Sequence, residues 1–149
     1  MLNLVELDLS ANKLRTIPTS SFVSVPNLNI LVLKDNPLKI VPKSAFLGLT
    51  NLMKIDLSNC GIHTLLPKSF SGLNRLERLY LASNDLTGVD DVEDVLPVIH
   101  ELTLHDNPWN CDCKAKTFRN IESTVLFTFI FWPTSTECLE KEDTFNLNI

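Results

Sequence analysis

The chain of 149 residues has few glycines, few basic residues and no long apolar run. Its 4 glycines exclude collagen-like and glycine-rich linker classes. Lysine and arginine total 13 against 18 acidic residues, and the net charge of −5 argues against a phosphate-binding surface and therefore against a nucleic-acid partner. The longest apolar run, residues 125–132, falls far short of the ~20 residues that span a bilayer, so we expect no membrane span in this chain.

Signals for secretion, glycosylation and catalysis are also missing from the sequence. Met1 is followed by neither a basic stretch nor an apolar segment, so we expect no signal peptide in this chain. No Asn-x-Ser/Thr acceptor occurs. Glycine-rich phosphate loops, serine nucleophile elbows and paired zinc-binding histidines are absent. His63, His100 and His105 have no nucleophile placed beside them, so we expect no enzyme activity, cofactor or metal ion.

What the sequence does contain is a repeat of the form L-x-x-L-x-L-x-x-N-x-L with a period of 24 residues. Four full copies are present: Leu4, Leu7, Leu9, Asn12, Leu14; Leu28, Leu31, Leu33, Asn36, Leu38; Leu52, Ile55, Leu57, Cys60, Ile62; Leu76, Leu79, Leu81, Asn84, Leu86. A fifth copy begins one residue early with Ile99, Leu102, Leu104 and Asn107. Phe22, Phe46 and Phe70 recur in the same phase.

The spacing of the leucines predicts how each repeat folds. Residues of the L-x-L segment alternate with period two, so two leucines point inward and the residue between them points outward. One such repeat cannot bury its leucine face alone, and stacked repeats can. The sequence therefore predicts one short parallel strand per repeat, joined into a curved sheet, with the phenylalanines in the outer half of each coil.

This pattern resembles the leucine-rich repeat in the 24-residue form of extracellular proteins, over residues 1 to about 113. The resemblance implies an α/β fold, a right-handed solenoid with a concave parallel β-sheet and an irregular or short-helical convex side. It implies about four and a half repeats over residues 1–106 and a partial cysteine-rich C-terminal cap over residues 107–149. It also implies a secreted or cell-surface parent protein, and a protein or peptide ligand on the concave face.

The third and fourth repeats depart from the pattern. The asparagine amide at the end of each strand can bond backbone groups of its own and the adjacent coil, and Cys60 takes that position in the third repeat. We expect Cys60 to be a buried free thiol. In the fourth repeat Val92, Val95 and Leu96 suit one helical turn that packs inward. An acidic patch would then face solvent: Asp90, Asp91, Glu93 and Asp94.

Residues 107–113, Asn-Pro-Trp-Asn-Cys-Asp-Cys, resemble the opening of the cap that closes extracellular leucine-rich repeats. In the family the first cysteine pairs with the third, which implies a Cys111–Cys138 disulfide worth about 3 kcal/mol. The partner of Cys113 has no counterpart, so Cys113 is expected to be a free thiol. A zinc site is the weaker alternative, because the cysteines lack a nearby histidine. The apolar residues 124–132 depart from the family, and either burial across the last coil or a mis-assembled reading frame explains them.

The face between the inward leucines offers a surface for binding. Positions three, five and seven of the repeats place the following residues there: Glu6, Asp8, Ile30, Val32, Lys34, Lys54, Asp56, Arg78, Tyr80, Glu101, Thr103 and His105. Tyr80 and Arg78 are the best anchor candidates, because tyrosine and arginine dominate interface hot spots. Solvated pairs such as Lys54 and Asp56 are the alternative interpretation.

The N-terminus matches the middle of a repeat, since residues 1–4 align with residues 49–52. We therefore expect a fragment of a longer protein, with Leu4, Leu7 and Leu9 on an open edge. Self-association through that edge, a spacer role, or a fragment without independent activity are the alternatives to ligand binding.

Overall fold

The computed structural model describes residues 3–89, 95–96 and 99–109, together with the backbone of residues 125–131. Every strand pair within these residues is parallel. The strands are β1 (Glu6–Asp8), β2 (Ile30–Val32), β3 (Ile40–Val41), β4 (Lys54–Asp56), β5 (Thr64–Leu65), β6 (Arg78–Tyr80), β7 (Ile99–Thr103) and β8 (Val125–Phe131).

The main sheet takes one strand from each repeat, in the order β1-β2-β4-β6-β7-β8. Its register follows the period of the sequence: Glu6 lies opposite Ile30, Ile30 opposite Lys54, and Lys54 opposite Arg78. Each pass through 24 residues therefore brings the chain back beside itself. The predicted solenoid with a parallel sheet is confirmed, and it has about four turns.

The leucine positions of the repeat form one continuous core. The core-facing residues of the inner strands have 0% of their surface exposed: Leu31, Ile55, Leu79 and Leu102. The first coil is covered by a neighbour on one side only, and its leucines are partly buried against the core: Leu4, Leu7, Leu9 and Leu14. Neighbouring coils thus share a single apolar interior, as the repeat predicts.

The outer half of each coil is built from turns and from the two-stranded sheet β3–β5, with almost no helix among the described residues. Of the two forms that the resemblance implies for the convex side, irregular or short-helical, the described residues show the irregular one. Ser20, Ser44 and Lys68 adopt left-handed backbone, with φ of 68°, 54° and 62°. A right-handed helix cannot continue through such a residue, so each outer segment is divided into single turns.

The fourth repeat supplies the one helical residue of the described part of the chain, Val95. Val95 and Leu96 are 2% and 3% exposed, so this turn packs inward as predicted. Val92 and the acidic residues at 90, 91, 93 and 94 lie outside the described residues.

Asparagine side chains at the strand ends tie each coil to the one before it. Asn36 Nδ2 donates to a carbonyl of its own coil at 2.8 Å and to Leu9 O of the preceding coil at 2.9 Å. Asn36 Oδ1 accepts the Leu14 N–H at 3.0 Å. Asn84 and Asn107 repeat this arrangement. The predicted role of the asparagine, bonding its own and the adjacent coil, is confirmed.

Cys60 stands in this ladder as a buried free cysteine that is 1% exposed. Its Sγ lies 3.3 Å from Leu33 O and 3.4 Å from Ser58 O, so the thiol reproduces only the donor side of an amide. The Leu38 N–H, whose counterparts bond an asparagine oxygen, instead donates to Asn36 O at 2.8 Å. Burial raises the pKa of the Cys60 thiol, which keeps it protonated.

We expect Cys60→Asn to raise the free energy of unfolding by about 1 kcal/mol, because the amide supplies an acceptor for the Leu38 N–H and stronger donors than a thiol. Urea unfolding followed by circular dichroism measures the change. Cys60→Ala has no polar side-chain atom and is the control, with an expected loss of about 1 kcal/mol. An asparagine variant no more stable than the alanine variant contradicts this account of the ladder.

Trp109 ends the described part of the repeats. It is 8% exposed, belongs to the apolar core, and its Nε1 donates to Leu104 O at 2.9 Å. The leucine interior of the last full coil is therefore continued by an aromatic ring. The remaining features of the predicted cap lie outside the described residues: Cys111, Cys113, Cys138 and the Cys111–Cys138 disulfide.

Strand β8 continues the main sheet beyond β7, in parallel orientation. Its backbone register places Phe129 opposite Glu101 and Phe131 opposite Thr103, with an irregularity between Ile99 and Glu101. The apolar segment that departs from the repeat thus adds one more strand to the main sheet, beside the last coil.

Candidate functional site

Two rows of side chains run across the main sheet on the face away from the core, and we call this surface the open face. The first row contains Glu6, Ile30, Lys54, Arg78 and Glu101, and the second contains Asp8, Val32, Asp56, Tyr80 and Thr103. Each row flanks the buried middle residues of the strands, so alternation directs it to the opposite face. Neighbours within a row are separated by the strand spacing of about 4.8 Å.

Burial divides the open face into a centre and a margin. Glu6, Asp8 and Lys34 at the margin are exposed. The centre is half-buried, from Ile30 and Val32 through the β4 and β6 residues to Glu101 and His105. A half-buried side chain is already held by its neighbours and loses little conformational freedom when a partner covers it.

Tyr80 organises the centre of the open face. The Lys54 Nζ lies 4.9 Å from the centroid of the Tyr80 ring, within cation–π range. Partial burial raises the pKa of the Tyr80 hydroxyl, and the Glu101 carboxylate raises it further. The ring thus contacts a cation of the preceding coil, and the hydroxyl is influenced by a carboxylate of the following coil.

Arg78 lies beside this group and is not neutralised within the described part of the chain. Its Nε is excluded from solvent and has no hydrogen-bond partner there. Ion pairs among the described residues join Lys34 with Asp35, Lys39 with Asp85 and His105 with Asp106, and none includes Arg78 or Lys54. Lys54 and Arg78 lie opposite each other in the register, and neither forms an ion pair with a carboxylate of the described residues.

An apolar pair adjoins the two cations. Ile30 lies opposite Lys54, and Val32 lies opposite Asp56, so the pair occupies the same two rows one coil earlier. Both side chains are half-buried. The open face thus presents, in order along the first row, an apolar residue and two cations.

Thr103 and His105 at one end of the open face, and Asp8 at the other, offer less contact to a partner than the residues around Tyr80. Thr103 is only 8% exposed, and its Oγ1 accepts the Leu81 N–H at 3.3 Å, so this side chain stabilises the sheet and presents little surface to a partner. His105 Nε2 lies 3.7 Å from an Asp106 carboxylate oxygen. At the other end, the Ser10 side chain, together with the Ser10 N–H that donates to Asp8 at 2.8 Å, lowers the pKa of the Asp8 carboxyl.

The family model of the leucine-rich repeat matches residues 2–62, 26–86 and 50–108, which together cover most of the chain. This chain belongs to the leucine-rich repeat family. The matches end at residue 108. They therefore include both rows of the open face, and almost all of the predicted cap lies beyond them.

Solved structures with leucine-rich repeats share the fold. A chain of the Toll–Spätzle complex from Drosophila has 28% sequence identity and a TM-score of 0.65, over 72% of this chain and 14% of that chain. A glycosylated form of that complex gives the same values. Human 5T4, also called trophoblast glycoprotein, has 23% identity and a TM-score of 0.61, over 81% of this chain and 43% of that chain. No curated protein matches the chain significantly.

Among residues 3–89, 95–96 and 99–109, no three histidine, cysteine or acidic side chains meet in a group that could hold a metal ion. Those residues also include no helix that is both long and apolar enough to cross a membrane.

The repeat period placed each open-face residue in its row, yet it could not show which side chains touch. The contact between Lys54 and Tyr80 joins neighbouring coils and depends on side-chain rotamers. The only sequence signal for this contact is that Lys54 lies one repeat before Tyr80, the single tyrosine of the chain. The burial of Thr103 likewise gave no sequence signal, because it depends on the pairing of β7 with its neighbours.

Proposed function

We propose that this leucine-rich repeat chain binds a protein or peptide ligand on the open face, the predicted concave side of the solenoid. The observation that carries the proposal is the group around Tyr80, where a half-buried aromatic ring, two unpaired cations and an apolar pair lie together. Such groups match the aromatic and arginine anchors from which protein interfaces draw most of their binding energy.

The similarity to a chain of the Toll–Spätzle complex supports a protein partner, since that structure is a complex of two proteins. The chain spans only 14% of the matched chain, so the partner of this chain is not taken from it. A secreted or cell-surface location is part of the proposal, together with repeats over residues 1–106 and a cap over residues 107–149 with a Cys111–Cys138 disulfide. Such a disulfide persists only in oxidising compartments.

Tyr80→Ala is expected to weaken binding to peptides selected by the full chain from a displayed random library. We expect about 30-fold weaker binding, the effect typical of a hot-spot aromatic residue. Val23→Ala is the control, because Val23 is 51% exposed and lies in the outer half of the coil. Circular dichroism establishes that both variants are folded, and fluorescence polarisation measures affinity.

Equal affinities of the wild type and Tyr80→Ala for every selected peptide would refute the assignment of ligand binding to the open face. The alternative function is self-association through the first coil, whose leucines are only partly buried. Sedimentation velocity of the same preparations separates the two functions, because a monodisperse monomer excludes self-association.

A further inference from the structure

The charged side chains of the open face restrict the class of ligand that can bind there. Lys54 and Arg78 lie opposite each other on adjacent strands, and no carboxylate of the described residues pairs with either. Like charges in such a cross-strand position repel each other. An anionic group between the two cations would relieve this repulsion and would provide charge-assisted hydrogen bonds to both side chains.

The neighbouring acidic residues are positioned so that they do not neutralise the pair. Glu101 lies opposite Arg78 in the register, yet none of the ion pairs among the described residues joins the two side chains. Asp56 follows Lys54 by two residues on the same strand and forms no ion pair with it. Lys54 therefore lies over the Tyr80 ring, and no carboxylate of the described residues forms an ion pair with Arg78.

The apolar pair sets a second requirement. Ile30 directly precedes Lys54 in the first row, so an anion placed between the two cations lies about 7 Å from Ile30. Two residues of an extended peptide span about the same distance. A ligand segment that runs across the strands can then cover the apolar pair with one side chain and reach the cations with the side chain two positions away.

Resting on the proposed function, we infer that the ligand of the open face is a protein segment that places an aspartate or glutamate between Lys54 and Arg78. An apolar side chain two positions away covers Ile30 and Val32. A sulfated polysaccharide fits less well, because it requires a run of cations and this pair is flanked by acidic residues in a chain of net charge −5.

Selection from a displayed library of random dodecapeptides tests the inference with the full chain. The wild type is expected to enrich peptides with an acidic residue two positions from an apolar residue. The double variant K54Q/R78Q is expected to lose this enrichment and to bind the selected peptides about tenfold more weakly. K13Q/R15Q carries the same change of net charge at exposed residues outside the strands and is expected to behave as wild type. Glu101→Gln removes a nearby negative charge and is expected to strengthen binding about twofold.

The outcomes separate this inference from the proposed function. If the selected peptides are not acidic but lose binding in Tyr80→Ala, ligand binding by the open face stands and the acidic ligand is refuted. If acidic peptides are enriched equally by wild type and K54Q/R78Q, the inference is also refuted. If heparin, but no acidic peptide, depends on the two cations, the ligand is a polysaccharide and the inference fails. If no selected peptide depends on any open-face residue, both proposals fail.

Discussion

Asn84→Ala is expected to lower the free energy of unfolding by about 4 kcal/mol, because it removes the acceptor of two buried N–H groups. Asn84 is 4% exposed, and its Oδ1 accepts the Cys60 N–H at 3.0 Å and the Ile62 N–H at 2.9 Å. Its Nδ2 donates to Leu57 O at 2.9 Å and to Leu81 O at 3.0 Å. Alanine leaves both N–H groups unpaired in the core, at about 1–3 kcal/mol each, and opens a small cavity.

Asn12→Ala is the matched control, because Asn12 holds the same place in the first repeat. Asn12 is exposed, and its Nδ2 donates to Leu9 O and Ser10 O of its own coil only. Its loss is expected to cost no more than about 1 kcal/mol, since water can replace these bonds. Urea unfolding of both variants gives the comparison. Equal losses would show that the bonds between coils contribute nothing beyond those within a coil.

The fold could be predicted because the leucine period determines the register. Once Leu31, Ile55 and Leu79 must share one interior, their strands can pair only with the 24-residue offset that the structure shows. A shift by one residue would turn every leucine to the open face, so burial alone excludes the other registers. The asparagine ladder could be predicted for the same reason, since a recurring turn recreates the same unpaired backbone groups in each coil.

The parts of the molecule without a period could not be predicted in this way. Strand β8 has no counterpart among the repeats, so its place beside β7 and the burial of Thr103 had no sequence signal. On the outer side, the left-handed backbone at Ser44 and Lys68 divides segments whose composition allows short helices. Neither serine nor lysine in the sequence predicts left-handed backbone, because tertiary packing imposes this conformation. The open face is an intermediate case. The repeat period determines which residues form its two rows, and the side-chain rotamers determine which of those residues touch.

Phe46→Ala is expected to lower the free energy of unfolding by about 4 kcal/mol, because it removes the middle ring of a stack in the outer half of the coils. Phe46 is 1% exposed. Its ring centroid lies 6.2 Å from that of Phe22 and 5.5 Å from that of Phe70, with interplanar angles of 18° and 13°. Each aromatic contact adds about 0.5–1.5 kcal/mol to the effect of burial, and alanine loses both contacts at once.

Two further variants show whether the stack or only its volume stabilises the coils. Phe22→Ala loses one contact at the end of the stack, where the side chain is 7% exposed, so its expected cost is about 1 kcal/mol smaller than that of Phe46→Ala. Phe46→Leu retains most of the volume and is expected to cost about 1.5 kcal/mol. Because the stack lies in the outer half and the open face on the main sheet, Phe46→Leu should bind selected peptides as wild type does. A leucine variant as unstable as the alanine variant would show that ring contacts, more than filled volume, hold the outer half together.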